Sequence, residues 1–269
     1  MKAYSTGLEL VLNTAEGLLQ IVVTDDENLL CAQEWDRPKQ ATEILAPALR
    51  EICATLRIAM GDFCRVACVR GPGSFTGIRL ALATAAALRR AGRARLAGLD
   101  YLQALACTAA INRQLPFDVR IMTITHARRD LVHFRPFLSI GPSMPPLPLA
   151  DARLVTPRAA LEAALEFARG NRFPIYICGS GLARNAPAFE GSGGGPLVPM
   201  PECLTPGVLA LRMLARHGEY FDEDIEPVYL RPCDAVENLP HLVARQGMEG
   251  GEAAARLEEL LGRTPKSDI

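Results

Sequence analysis

The stretch VRGPGSFTGIRLALATAAALRR, Val69 to Arg90, constrains the fold of this chain more than any other. An apolar run, Phe63 to Val69, reads as a buried strand that enters a Gly-Pro-Gly-Ser turn. A helix rich in small residues, Thr76 to Ala91, follows and ends near Gly92. Gly71 and Gly73 permit backbone conformations closed to other residues, and Pro72 stiffens the turn. Ser74 or Thr76 can cap the helix by accepting from its free N–H groups.

The surrounding pattern sets the fold class. Leu8 to Asn13, Leu18 to Thr24 and Asn28 to Trp35 read as three short strands separated by polar turns, an antiparallel meander. Leu45, Leu49, Ile52 and Leu56 recur at helical spacing and predict a helix over Ala41 to Met60, with Pro47 about one turn in. Arg95 to Leu99 is a further strand. The order β-β-β-α-β-α-β makes a mixed sheet covered by helices. The second half repeats these ingredients loosely. It has a helix over Tyr101 to Ala110, a strand pair over Val119 to Thr125 and Leu131 to Leu138, and a helix over Pro157 to Ala168. A strand over Pro174 to Cys178 runs into Gly179-Ser180-Gly181, and Thr205-Pro206 opens a last helix through Ala215. Gly141 to Pro148 and Gly191 to Pro201 are rich in Pro and Gly and read as loops. Glu226 to Pro232 reads as extended, and the tail from Glu249 as a loose helix or none.

With 269 residues, one or two domains fit. The boundaries expected are a first lobe over 1–100, a second over 101–232 and a tail over 233–269. A formal net charge of -1 gives no global field for autonomous nucleic-acid binding. None of the eight cysteines forms a CxxC. Cys64 and Cys68 read as one strand face, roughly 13 Å apart and too far to share a metal. Most of the cysteines read as small buried hydrophobes. Glu9 and Glu16 within the N-terminal apolar stretch argue against a signal peptide, and no run approaches the ~20 apolar residues that span a bilayer. The expectation is a cytoplasmic chain without a membrane segment.

The glycine turn leaves three readings open. It is a tight capped connection, or an anion site at a helix N-terminus, or it carries a nucleophilic Ser74. It lacks the Lys of a P-loop and does not fit the G-x-S-x-G elbow. Asn13, Thr14, Gly71, Gly73 and Ser74 are the candidates for nucleotide or phosphate contact. The helix also has two readings. Gly77, Ala81, Thr84 and Leu88 form one small-residue row, with Ala83, Ala86 and Ala87 beside it. The row either covers the helix's own sheet or presents a surface for another helix. Arg89, Arg90, Arg93 and Arg95 make its far end positive. The four histidines have no metal-ligand spacing, and no carboxylate pair stands out as an acid/base couple.

The motif GPGSFTGIRLALATAAAL resembles the signature of the TsaB (YeaZ) family of the bacterial tRNA threonylcarbamoyladenosine machinery. ATEILAPALREI is similar to that family's first helix, HARRDLVHF to its second hairpin (DARRxEVY), GSGLARN to its GDGA-type turn and PVYLRP to its C-terminal ending. The similarity covers roughly residues 8 to 232. The resemblance implies an α/β fold of the actin/Hsp70/sugar-kinase superfamily (ASKHA), two lobes, each a mixed sheet covered by helices. It implies a non-catalytic scaffold in N6-threonylcarbamoyladenosine (t6A37) synthesis, not an enzyme. Its partners would be a TsaD-type transferase subunit and a TsaE-type ATPase. It would pair with itself when alone and meet tRNA only through the complex. No cofactor or metal belongs to the chain itself, with ATP or ADP conceivable at the hetero-interface. The interface would lie on the first two helices, here Leu45, Leu49, Ile52, Gly77, Ile78, Ala81, Leu82, Thr84, Ala85 and Leu88.

This sequence departs from the family pattern where ATP chemistry would sit. The usual IDTS is Leu12-Asn13-Thr14-Ala15, and Asn13 carries no charge to hold a magnesium-bound water. The family's His-Ser at the first helix is Ala41-Thr42, the Asp of DARR is His126, and the aromatic of EVY is His133. Rival readings are an ATP-dependent kinase or a peptidase of the same superfamily, and a scaffold repurposed for another partner. A kinase would need an Asp at position 13. A peptidase would need a metal pair or an activated nucleophile.

Overall fold

The computed structural model describes residues 7–26, 28–36, 40–128, 130–189 and 195–230. Its first sheet begins with β1 (Leu8–Asn13), β2 (Leu18–Asp25) and β3 (Asn28–Asp36), the antiparallel meander that alternation and polar turns predict. Helix α1 (Ala41–Leu56) follows, then β4 (Arg65–Gly71), α2 (Phe75–Ala91) and β5 (Arg95–Asp100). β4 pairs parallel to both β1 and β5, giving the order β3-β2-β1-β4-β5.

Helix α3 (Tyr101–Asn112) leads to the second sheet. Its long hairpin, β6 (Phe117–Arg128) and β7 (Leu131–Ile140), is joined by β8 (Leu147–Pro148) and β9 (Arg153–Val155), both on β7. After α4 (Pro157–Ala168) come β10 (Ile175–Cys178), α5 (Ser180–Arg184), α6 (Ala186–Phe189), β11 (Leu197–Met200) and α7 (Val208–Arg216). The sheet order is β11-β10-β6-β7-β8.

Alternation along the strands distributes three cores. On β1, Leu8, Leu10 and Leu12 face α1 and α2, packing with Leu45, Ile52, Ala81 and Ala85. Val11 faces the other way, toward α3, with Ala67, Val69 and Leu99. The same core takes in Ile121, Phe137 and Cys178 of the second sheet and Leu211 and Leu214 of α7. Helix α3 therefore lies between the two sheets, with α7 packed beside it on β1 and β5. The far face of the second sheet packs on Ala160 and Ala164 of α4.

The structure corrects several sequence expectations. Helix α1 stops at Leu56, not Met60, because Arg57 turns left-handed at φ 57 and its N–H bonds the Ala54 carbonyl. That is a helix-ending geometry which glycine normally announces. Cys64 precedes β4 and does not share a strand face with Cys68. The segment 191–201 is not all loop, because Leu197–Met200 pairs parallel to β10 with Pro199 opposite Ile177. An edge position tolerates a proline, whose missing N–H needs no partner there. Leu147–Pro148 pairs with β7 inside the expected loop. The turn at Gly179 becomes a short helix, and α7 starts at Val208, not Thr205. The expected tail over 233–269, including Cys233 and His241, lies outside the described residues.

Among the described residues no helix is long and apolar enough to cross a membrane. Cys53, Cys68, Cys107, Cys178 and Cys203 are buried, while Cys31 and Cys64 are half-buried. Burial pushes the Cys107 thiol up to about 12, so few thiolates form there at neutral pH. Alkylation of the native chain by iodoacetamide, read by mass spectrometry, should therefore label Cys31 and Cys64 well before these five.

Candidate functional site

The β1–β2 turn and the start of α2 meet at one junction, and local chemistry explains how. Asn13 is 1% exposed. Its amide donates to Gln20 Oε1 at 2.6 Å, and its own oxygen accepts the Ala15 N–H at 3.0 Å. Gln20 in turn donates to Glu34 Oε1 at 2.5 Å and to the Pro206 carbonyl at 2.8 Å. Asn13 is thus a clip that shapes the turn, with both ends of its amide engaged. A charged Asp at this position could accept from Ala15 but could not donate to Gln20.

The turn is driven into the helix start. The Ser74 N–H donates to the Ala15 carbonyl, and Thr14 Oγ1 donates to the Gly77 carbonyl at 2.6 Å. Ser74 caps α2, its hydroxyl accepting from the Gly77 N–H at 3.3 Å. A Cβ on Gly73 would overlap the Ala15 carbonyl oxygen, and one on Gly77 the Thr14 carbonyl oxygen. Those two glycines are required by close backbone approach. Gly71 is the end residue of β4.

Of the sequence-predicted phosphate residues, Asn13, Thr14, Gly73 and Ser74 meet at this turn, while Gly71 abuts the Val228 carbonyl. Four donors at this turn are engaged within the chain: the Asn13 amide, the Thr14 hydroxyl, and the Ser74 and Gly77 N–H groups. Beside the junction lies a hollow of 310 Å³, bordered by Leu18, Thr42, Ser74, Thr76, Gly77 and Leu80. Among the described residues that line it, none is charged. Also among the described residues, no group of three or more His, Cys, Asp or Glu side chains could hold a metal ion.

Of the ten interface positions expected on the first two helices, seven face inward. Leu45, Leu49, Ile52, Ile78, Ala81, Ala85 and Leu88 are buried within the chain, while Gly77, Leu82 and Thr84 are half-buried. The sheet-covering reading of the small-residue row thus holds for Ala81 and Leu88. The outward faces are made by Ala46, Pro47 and Arg50 of α1 and by Thr76, Arg79, Ala83 and Ala87 of α2. Sequence spacing alone could not tell the two faces of α2 apart, because both carry small residues.

The arginines at the end of α2 are not a bare positive patch. Asp224 pairs with Arg89 at 2.9 Å and with Arg90 at 2.6 Å, and Asp222 with Arg95 at 3.6 Å. Hydrogen bonding from Arg89 above all holds the Asp224 carboxyl below its usual range. At the other end of α2, Tyr229 stacks on Phe75 at 5.0 Å and its hydroxyl accepts from Arg79 Nε at 3.2 Å. These contacts join residues 127 or more apart in the chain, and no local pattern signals them.

Comparison with known proteins is consistent with the geometry. Residues 38–141, from just before α1 through β7, match the family model described as TsaD: tRNA N6-adenosine threonylcarbamoyltransferase. Two solved structures have a similar fold. One is an uncharacterized protein with similarity to peptidase YeaZ from Pseudomonas aeruginosa, with TM-score 0.66 and 21% identity, covering 84% of this chain and 100% of that one. The other is YeaZ from Pseudomonas aeruginosa, with TM-score 0.66 and 21% identity, covering 83% and 100%. No curated protein sequence matches the chain. Together these matches support the TsaB/YeaZ resemblance read from the sequence.

The junction sets two expectations for stability, both read by urea unfolding. Ser74→Ala removes one cap and should cost on the order of 1 kcal/mol. Gly77→Ala forces a methyl against the Thr14 carbonyl and should cost about 2 kcal/mol, as overpacking does. Equal stability of Gly77→Ala and the native chain would show that the turn does not press on α2.

Proposed function

We propose that this chain is a non-catalytic scaffold subunit of the machinery that makes N6-threonylcarbamoyladenosine in tRNA. In this reading it pairs with a TsaD-type transferase subunit, and a TsaE-type ATPase joins the assembly. The observation that carries the reading is the closed junction between the β1–β2 turn and α2. Asn13 and the Ser74 N–H, placed where ATP chemistry would need a charge and free donors, are spent on internal bonds. The family match over residues 38–141 gives independent support for a link to this machinery.

The partner surface in this proposal is the outward side of α1 and α2. Ala83 and Ala87 are small and exposed there, so a neighbouring helix can approach closely. The same surface would pair two copies of this chain when the partner is absent. In Ala83→Arg or Ala87→Arg the long side chain is accommodated in solvent, so the fold should persist while co-elution with the TsaD-type subunit is lost. Ala81→Arg differs, because position 81 is fully buried. Burying an unpaired charge there should cost about 3 kcal/mol or more and lower the melting temperature. The check is size-exclusion chromatography of each variant mixed with the TsaD-type subunit, alongside thermal melts. Normal complex formation by both outward variants would refute the surface. Absence of any complex with the native chain would refute the partner.

A further inference from the structure

Glu16 joins the loop ends of the two sheets through a carboxyl group that the proposed function does not use. Glu16 lies in the β1–β2 turn of the first sheet. Its Oε1 accepts from Ser180 Oγ at 2.7 Å, and its Oε2 accepts from the Tyr101 hydroxyl at 3.0 Å. Ser180 opens α5, directly after β10 of the second sheet, and Tyr101 opens α3. The Ser180 hydroxyl also accepts the backbone N–H of His126 in β6 at 2.9 Å. A single side chain therefore ties together the hairpin turn, α3, α5 and β6.

The groups facing Glu16 are Tyr101 from α3 and Ser180 and Arg184 from α5, with His126 of β6 next to Arg184. Burial pushes the Glu16 carboxyl up, while the Ser180 and Tyr101 hydroxyls and the Arg184 charge pull it back. Burial and the nearby Glu16 hold the Tyr101 phenol well above its ordinary range. The core shared by the two sheets includes Val11, Leu105, Cys178 and Met200, all at or near zero exposure. Glu16 and Ser180 are only half-buried. Water can replace each as the other's partner, so their contact can open without uncovering that core.

We propose that Glu16 is a latch between the β1–β2 turn of the first sheet and the start of α5 on the second. Its bonds to Ser180 and Tyr101 hold the loop ends closed, and their loss frees the β1–β2 turn from α5 while both sheets stay folded. The latch does not depend on which partner the chain has. It is a conformational device of the fold itself.

Amide hydrogen exchange on the full chain tests it. Glu16→Ala should speed exchange at Ala15–Leu18 and at Ser180–Leu182 by about tenfold or more, the factor that a hydrogen bond to a charged group is worth. Leu10–Leu12 and Leu105–Ala109 should keep the native rate. Glu16→Gln should stay close to native in both segments, because its amide can accept from Tyr101 and donate to Ser180. Native exchange throughout in Glu16→Ala would overturn the latch. So would an equal rise in β1 and α3, which reports general destabilisation, or a Gln variant as open as the Ala variant. If Glu16→Ala does not fold, Ser180→Ala decides the matter. A local rise at Ala15–Leu18 sustains the latch, and unchanged exchange there overturns it.

Discussion

Helix α3 is the element on which the rest depends. All but Gln103 of the residues from Tyr101 to Ala110 are buried, because a sheet lies on either side. A helix in this position has no solvent face, and its backbone ends must be satisfied within the protein. Asp100 does so at the N-terminus, its carboxylate accepting the N–H groups of Leu102 at 2.7 Å and Gln103 at 3.0 Å. The same carboxylate pairs with Arg135 of β7, so the cap also fastens the first sheet to the second. Thr108, within α3, accepts the Gly207 N–H at 2.9 Å and thereby sets where α7 begins. Displacing α3 would therefore disturb both sheets and the last helix.

With α3 filling the space between the sheets, α1 and α2 are left for the opposite face of the first sheet. This division explains why the small-residue helix has two useful sides. Ile78, Ala81 and Ala85 let α2 sit close on β1 and β4, while Ala83 and Ala87 stay free of the sheet. Close packing at its N-terminal end comes from Gly73 and Gly77, which admit the hairpin backbone. The segment 219–230 then lies along β5 and α2, through the Leu96–Phe221 bridge, the Val228 N–H to the Arg70 carbonyl and the Asp224 ion pairs. That segment draws off much of the positive charge of α2, so its outward side offers a neighbour small apolar residues more than a cationic stripe.

Much of this was legible in the sequence because it is written locally. The three-strand meander, the strand–turn–helix around GPGS and the helix after Thr156-Pro157 follow from alternation, capping and turn chemistry within a dozen residues. What was not legible has physical reasons. Arg57 ends α1 in a left-handed conformation without the glycine that would mark it. β11 hides its pairing behind a proline that only an edge strand tolerates. The inward direction of Ala81 and Ala85 could not be told from the outward direction of Ala83 and Ala87, since alanine signals neither. The bonds from Glu16 to Ser180 and from Arg89 to Asp224 span 164 and 135 residues. They exist only once the sheets have formed.

The candidate site shows how a residue of one type can take over a place that another would use for chemistry. At position 13 an aspartate would bring a charge, whereas asparagine brings both a donor and an acceptor. The donor finds Gln20 and the acceptor finds Ala15. Each bond then narrows the turn, and the narrowed turn presents its Thr14 and Ala15 carbonyls to the start of α2. A helix N-terminus attracts negative ends of dipoles as well as anions. Here the Ala15 carbonyl of the chain's own hairpin accepts the Ser74 N–H. The start of α2 is thereby a packing contact for the hairpin, made by the Ala15 carbonyl on the Ser74 N–H and by the Thr14 hydroxyl on the Gly77 carbonyl.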